Sequence, residues 1–142
     1  MAKAPALQDV GTAVRRLQAR HQRVGGARMS AIGLSLAQWG VLRHLRDHPD
    51  ASLHKLAGLM FQTDQSMGAL AARMITQGLL ERVEGPGRAV HHRLTPLGER
   101  LRAEGSEVVD GVLAESLGRL SSRELSVLYS LLRKAAGPED GL

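Results

Sequence analysis

The chain has 142 residues, of which 43% are hydrophobic and 23% charged, as in one globular domain with its own core and unlike a disordered tail. It contains no cysteine, which excludes disulfides, thiolate metal sites and thiol-based redox switches. No apolar run approaches the ~20 residues of a membrane span, and the N-terminus carries no apolar secretion signal. We therefore expect a cytoplasmic protein without a membrane partner.

The core must be built with few aromatic side chains, since Phe, Trp and Tyr make up only 2% of the residues. A core of Leu, Val, Ile, Met and Ala favours packed helices. The formal net charge is +5, and the first 46 residues hold eight basic residues and one acidic residue. A basic small domain is typical of proteins with a polyanionic partner, although charge of this size also serves solubility alone.

The first predicted helix covers residues 7–24 and carries a narrow apolar stripe with spacings of three and four. Gly25 and Gly26 predict its end. A stripe this narrow at a chain end indicates packing against other helices. Its members are Leu7, Val10, Val14, Leu17, His21 and Val24.

Capping residues predict the next three helices. Ser35 and Gln38 form the capping box of a second helix. Ser52 caps a short third helix, and Thr63 caps a fourth, which Gly78 closes from the C′ position. The second helix thus leads into two short helices separated by a tight break.

The periodicity then changes from helical to alternating. Residues 80–84 and 89–94 read as two short strands around a turn rich in Gly and Pro, which predicts a hairpin. Thr95 and Pro96 begin a fifth helix, and Ser121 opens the capping box of a sixth. The predicted fold is mainly α with a small hairpin wing.

Two short helices followed by a hairpin form a winged helix-turn-helix, whose second helix fits the major groove of DNA. The predicted fourth helix has a polar face opposite its apolar stripe. On such a face, Gln pairs with adenine, Ala contacts a thymine methyl group and Asp accepts a hydrogen bond from cytosine. The candidate DNA-binding residues on this helix are Thr63, Asp64, Gln65, Ser66, Gly68, Ala69 and Arg73.

An ordered series of motifs resembles the winged-helix signature of MarR-type bacterial transcription regulators. The series comprises Leu56-Ala57, residues 63–67, Gly78-Leu79-Leu80-Glu81-Arg82, Arg88 and residues 94–98. The resemblance implies a homodimer that binds a pseudo-palindromic operator, represses nearby genes and releases DNA when a small phenolic or other ligand binds. Residues that match family DNA readers are Gln65, Ser66, Gly68 and Arg88, and Arg73 matches a family arginine.

The resemblance also implies how one domain, residues 1–142, divides into two lobes. Residues 35–95 form the winged helix-turn-helix lobe, and residues 1–34 with 96–142 form a helical dimerisation lobe. The candidate dimer residues are Leu7, Val10, Val14, Leu17, Leu128 and Leu132. An effector pocket between the lobes, for a small aromatic ligand, has as its candidates His21, Met29 and Trp39, although Trp39 is first of all a core residue.

The wing departs from the family pattern because Pro86 stands where the family has Asp. Without that partner, Arg88 is expected to contact phosphate. His91 and Arg93 share one strand face and are further phosphate candidates, whereas His92 lies on the opposite face and is predicted to be packed.

The alternatives are a winged-helix module for protein contact or a dimer without operator binding. A protein-binding surface would display exposed apolar anchors on the fourth helix, which this helix lacks. We expect no enzyme, because no catalytic triad, phosphate-binding loop or carboxylate pair occurs in a suitable context. We expect no metal and no cofactor, because no Cys and no nearby cluster of carboxylates completes a site with His44 and His48.

Overall fold

The computed structural model describes residues 2–85 and 90–138. Its elements are α1 (Leu7–Ser30), α2 (Leu36–Asp47), α3 (Leu53–Leu59), α4 (Asp64–Thr76), β1 (Leu80–Glu84), β2 (Val90–Leu94), α5 (Pro96–Ser116), a short 3-10 helix (Leu117–Arg119) and α6 (Ser122–Ala136). This order confirms the predicted six-helix winged helix-turn-helix. In the described part of the chain, we find no helix with both the length and the apolar character that crossing a membrane requires.

The predicted caps form. The Ser35 hydroxyl accepts from the Gln38 amide at 3.1 Å, and the Gln38 side-chain oxygen accepts from the Ser35 amide at 3.0 Å. Ser121 and Glu124 form the same reciprocal pair at the start of α6. Such side-chain caps are worth ~1 kcal/mol each, because they satisfy amide groups that have no partner within the helix.

The predicted end of α1 at Gly25 is wrong, because the helix continues to Ser30. Gly25 is buried, and the side chain of Leu36 lies 3.5 Å from the position that a Cβ there would take. A Cβ at this position would therefore make an ordinary van der Waals contact with Leu36, and the left-handed residue after the helix is Gly33, with φ at +84°. The extension carries Met29 into the core, where it is fully buried.

The main core lies in the winged lobe. The apolar faces of α2, α3 and α4 meet there, and Leu42, Leu56, Met67 and Met74 are all fully buried. Burying one such side chain stabilises the fold by ~1.5–3 kcal/mol. The hairpin closes the lobe through Leu80, and the strands pair antiparallel from Leu80 opposite Leu94 to Glu84 opposite Val90.

The helical lobe is built differently. α1 packs along α5, and Arg28 donates to both carboxylate oxygens of Glu115 at 2.8 Å. This pair takes up part of the positive excess on α1. The α6 helix has no buried residue, and α1 and α6 together expose a set of large apolar side chains. These are Leu7, Val10, Val14, Leu125, Val127, Tyr129, Leu131 and Leu132.

Candidate nucleic-acid interface

The recognition-helix candidate α4 has two distinct faces. Met67, Leu70, Ala71 and Met74 are buried against the core, as their spacing predicted. The other face is open: Gly68 is half-buried, and the remaining predicted residues of this face are exposed. The exposed residues are Thr63, Asp64, Gln65, Ser66, Ala69 and Arg73.

The first turn of α4 is held by Thr63 at the N-cap. Its hydroxyl oxygen accepts from the Ser66 amide at 3.1 Å, and its O–H donates to the Ser66 hydroxyl at 3.0 Å. Thr63 and Ser66 therefore help to fix the start of the helix, while Gln65 points from an exposed position in the same turn. The capped first turn therefore fixes the backbone of Gln65, whose side-chain amide can contact another molecule.

A contact that sequence reasoning missed joins α3 to α4. The imidazole Nδ1 of His54 lies 3.0 Å from each carboxylate oxygen of Asp64. Both side chains are largely exposed, at 77% and 66%. His54 is the second residue of α3 and Asp64 the first of α4. The pair therefore depends on how the two helices pack, which no spacing along the chain reveals.

The wing presents the predicted alternation. Arg93 lies opposite Glu81 across the strands and donates to its carboxylate from Nε, so this predicted phosphate ligand already has an acidic partner. His91 is half-buried, while the predicted packing of His92 is confirmed, since this residue is buried. Arg88 and Pro86, at the predicted wing tip, lie outside the described residues.

His92 is a buried base without a partner. Its Nδ1 atom is buried and has no hydrogen-bond partner among the described residues. Burial first, and then the positive charges of Arg82 and His91, lower the pKa of His92 from its usual 6.5. The imidazole is therefore held in its neutral form, with one ring nitrogen able to accept a hydrogen bond.

A groove runs between α4 and the wing, beside His92. Its walls are mainly apolar, and Arg82 and His92 supply the polar groups at the strand side. The lining residues are Leu53, Gly68, Ala71, Ala72, Ile75, Arg82, Val90 and His92. An apolar slot with one cation and one neutral imidazole suits a small aromatic acid.

The three predicted effector-pocket residues do not all lie together, since Trp39 packs against the core that contains Met29 whereas His21 contacts the C-terminal end of α5. Met29 is enclosed in the core, Trp39 donates from Nε1 to the Arg102 carbonyl at 3.2 Å, and His21 hydrogen-bonds Ser116 at 2.7 Å. The α5 residues that Trp39 and His21 contact, Arg102 and Ser116, are 14 residues apart, or about 21 Å along a helix. Within one protomer, a small ligand therefore cannot contact both His21 and Trp39.

The winged lobe joins α5 along a tight seam. A Cβ at Gly98 would collide with the Leu79 carbonyl oxygen, and a Cβ at Gly105 would collide with the Trp39 ring. Between these points the buried Arg102 donates to the Glu99 carboxylate at 2.6 and 2.9 Å. This hydrogen bond is the main reason why the pKa of Glu99 is lowered from its usual value.

No group of three or more His, Asp or Glu side chains able to hold a metal occurs within residues 2–85 and 90–138. His44 and His48 are the last-turn and C-cap residues of α2. Burial, and then the charge of Arg43, lower the pKa of His44.

Residues 32–89 match the sequence model of a protein family that is described as the MarR family. The chain is similar to the transcriptional regulator HosA of Escherichia coli O111:H-, with 32% identity over 103 residues. That match covers 71% of this chain and 76% of the relative.

Solved structures of similar fold cover the chain almost completely. The Mycobacterium tuberculosis MarR family protein Rv2887 in complex with p-aminosalicylic acid has a TM-score of 0.74 and 26% identity, covering 94% of this chain and 100% of that one. The same protein in complex with DNA has a TM-score of 0.74 and 25% identity, covering 95% and 100%. A mutant of Escherichia coli MarR complexed with operator DNA shares the fold, with a TM-score of 0.81 and 18% identity, covering 94% and 100%.

Proposed function

Because the chain belongs to the MarR family of transcriptional regulators, we propose that it is a ligand-responsive repressor that binds a pseudo-palindromic operator as a homodimer. The observation that carries the proposal is the open face of α4. It bears Gln65, Ser66 and Arg73 in exposed positions, and the one exposed large apolar side chain of α4, Ile75, lies in its last turn and is 37% exposed. This composition suits base edges and phosphates, whereas a protein-binding face would need buried-contact aromatics or aliphatics.

The DNA partner is supported by a related complex as well. The Mycobacterium tuberculosis protein Rv2887, similar along nearly the whole chain, has been solved with DNA. In the proposed complex, α4 lies in the major groove and the side chain of Gln65 pairs with adenine. The two recognition helices of the dimer lie about one helical turn of DNA apart, ~34–36 Å.

Binding-site selection on random duplex DNA tests this function. The selected sites are expected to contain two inverted half-sites. Gln65→Ala should cost ~1–3 kcal/mol per half-site and relax the base preference at one symmetric pair of positions. Gln22→Ala, at an exposed position of α1, is the matched control and should return the original motif. Selection of no duplex sequence would overturn the proposal in favour of a protein-contact module or a dimer without an operator.

The wing is proposed to hold DNA by phosphate contacts. Arg88 is assigned to phosphate because Pro86 replaces the acidic residue with which the family pattern pairs it. Arg88→Ala should weaken binding to all sequences alike. Each lost phosphate contact reduces the steepness of the plot of log affinity against log salt concentration by ~0.9. A dimer that loses two contacts should therefore show a slope that is smaller by ~2. An unchanged salt slope would remove Arg88 from the interface.

Dimerisation is proposed through the open apolar faces of α1 and α6. Leu7, Val10, Val14 and Leu132 are exposed in one protomer, and Leu17 and Leu128 are half-buried on the same helices. A second copy of the chain would remove this apolar surface from water and place two winged lobes side by side.

The effector is proposed to be a small aromatic acid in the groove between α4 and the wing. The carboxylate would meet Arg82, the neutral His92 would exchange a hydrogen bond with a ring substituent, and Ile75 and Val90 would cover the ring. The related Mycobacterium tuberculosis protein has been solved with p-aminosalicylic acid. Because the groove is lined by α4, an occupant would displace the helix that carries Gln65 and release DNA.

A further inference from the structure

We propose that His54 is a positioning residue that joins Asp64 to a DNA phosphate, and that operator binding takes up a proton at this imidazole in each protomer. The inference rests on the proposed DNA-binding function and assigns it a further residue. His54 lies outside the set of DNA contacts that the sequence predicted.

The contact between His54 and Asp64 is not explained by folding. Both side chains are largely exposed, at 77% and 66%, and an exposed contact of this kind contributes only ~0–1 kcal/mol to stability. Yet both oxygens of Asp64 lie 3.0 Å from Nδ1 of His54. The geometry orients a carboxylate at the first residue of the helix that carries the candidate base readers.

The position of the pair matches the two roles of a helix-turn-helix. The first helix of this motif crosses the DNA backbone, while the second enters the major groove with its N-terminal residues at the base edges. His54 belongs to the first turn of α3 and Asp64 to the first turn of α4. When α4 enters the groove, the imidazole therefore lies on the backbone side and the carboxylate on the base side.

The negative charges of Asp64 and of the DNA phosphate together favour the protonated form of the His54 imidazole. A carboxylate brought next to phosphates is repelled unless a cation lies between them. The doubly protonated imidazole has an N–H on each ring nitrogen, so Nδ1–H donates to Asp64 while Nε2–H donates to a phosphate. The neutral ring has only one N–H and can serve only one of the two anions.

Within the part of the chain that the structure describes, Asp64 is the one acid that forms a salt bridge with His54. α3 packs against α2 and α4. Asp64 is the facing acid from α4, and Lys55 is the charged neighbour along α3. Within residues 2–85 and 90–138, α2 contributes no salt bridge to His54. The added negative charge in the complex is thus the DNA itself, and it favours the protonated ring.

Proton uptake has a defined sign. The complex holds more protons than the free protein, so operator affinity falls as pH rises through the titration range of histidine. With one imidazole per protomer, the logarithm of the association constant should fall with a limiting slope of about two per pH unit for the dimer.

The experiment measures operator affinity from about pH 5 to about pH 8 at constant salt, using a duplex selected by the unaltered protein. His54→Gln retains a hydrogen-bonding side chain without a titrating charge and should flatten the slope. His54→Lys keeps a permanent charge and should bind with little pH dependence while retaining affinity at high pH. Asp64→Asn should reduce the slope and relax preference at one symmetric pair of bases.

His48→Gln, at the exposed C-cap of α2, is the matched control and should leave the slope unchanged. Equal slopes for the unaltered protein and His54→Gln would overturn the inference while leaving the DNA-binding function intact. Failure of the unaltered protein to bind any selected duplex would overturn both. Thermal unfolding of each variant checks that the exposed substitutions leave the fold unchanged.

Discussion

The winged lobe and the helical lobe bury their apolar residues in different ways. In the winged lobe, α2, α3 and α4 close around fully buried side chains such as Leu42, Leu56 and Met67. In the helical lobe, Val112 is the one buried aliphatic side chain of α5, and α6 buries none. Most of the buried core therefore lies in the winged lobe, with Met29 of α1 added to it, whereas α5 and α6 together bury one aliphatic side chain, Val112.

The exposed faces of the two lobes also differ in their polarity. On α4 the open face is polar, with Asp64, Gln65 and Ser66 exposed. On α6 it is apolar, with Leu131 and Leu132 exposed. A polar face on a rigid core suits recognition of a polar molecule, and an apolar face on a long helix suits assembly. Under the proposed function, α4 would contact DNA and α6 would form part of the dimer interface.

A large loss of stability is expected when the seam that joins the two lobes is disrupted. Gly98→Ala would push a methyl group into the carbonyl of Leu79 and should destabilise the protein by ~3 kcal/mol. Gly111→Ala lies on the same helix with open space around it and should instead stabilise by ~0.5–1 kcal/mol. Chemical denaturation compares the two, and a melting curve for Gly98→Ala like that of the unaltered protein would contradict the tight seam.

A charge on the apolar face of α6 separates assembly from folding. Leu132 is 46% exposed, so Leu132→Glu should weaken the dimer at least about tenfold, ~1.4 kcal/mol, without unfolding the winged lobe. Light scattering reads the mass and circular dichroism the helix content. Leu56→Ala is the converse variant, because it should lower stability by ~2–5 kcal/mol while the dimer persists below the melting temperature. A fully dimeric Leu132→Glu protein would remove α6 from the interface.

Mild acid should weaken the winged lobe before the helical lobe. Burial lowers the pKa of His92 and of His44 in the winged lobe from 6.5. The fold favours their neutral forms, so this stability is present above pH 6.5 and is lost as pH falls through the lowered pKa values. In the helical lobe, the hydrogen bond from Arg102 lowers the pKa of Glu99 from 4.5, and its contribution is lost only at more acid pH.

Thermal unfolding between about pH 7 and about pH 5 measures this difference. The melting temperature of the unaltered protein should fall as pH is lowered across this range. The melting temperature of His92→Leu should fall by less, because this variant lacks one of the two histidines with a lowered pKa. A pH dependence identical in the variant would show that His92 is not the group that responds.

The features predicted from sequence are those with a local cause. The capping boxes at Ser35 and Ser121, the left-handed Gly78 after α4 and the hairpin each depend on a few neighbouring residues. The end of α1 was mispredicted because Gly25 is buried beside Leu36 of α2, and packing between the helices outweighs the weak helix propensity of glycine. The link between His54 and Asp64 escaped prediction for a similar reason, since it exists only when two helices are packed.

The seam on α5 has a mechanical consequence. Gly98 and Gly105 are two helical turns apart on one face, and both press against the winged lobe. Two fixed contacts along one helix prevent α5 from rotating about its own axis relative to the winged lobe. The winged lobe and the N-terminal half of α5 are therefore held together as one unit, so a tilt of α5 would carry α4 with it. In the proposed dimer, the separation of the two α4 helices would therefore depend on how the two copies of α5 are held relative to each other.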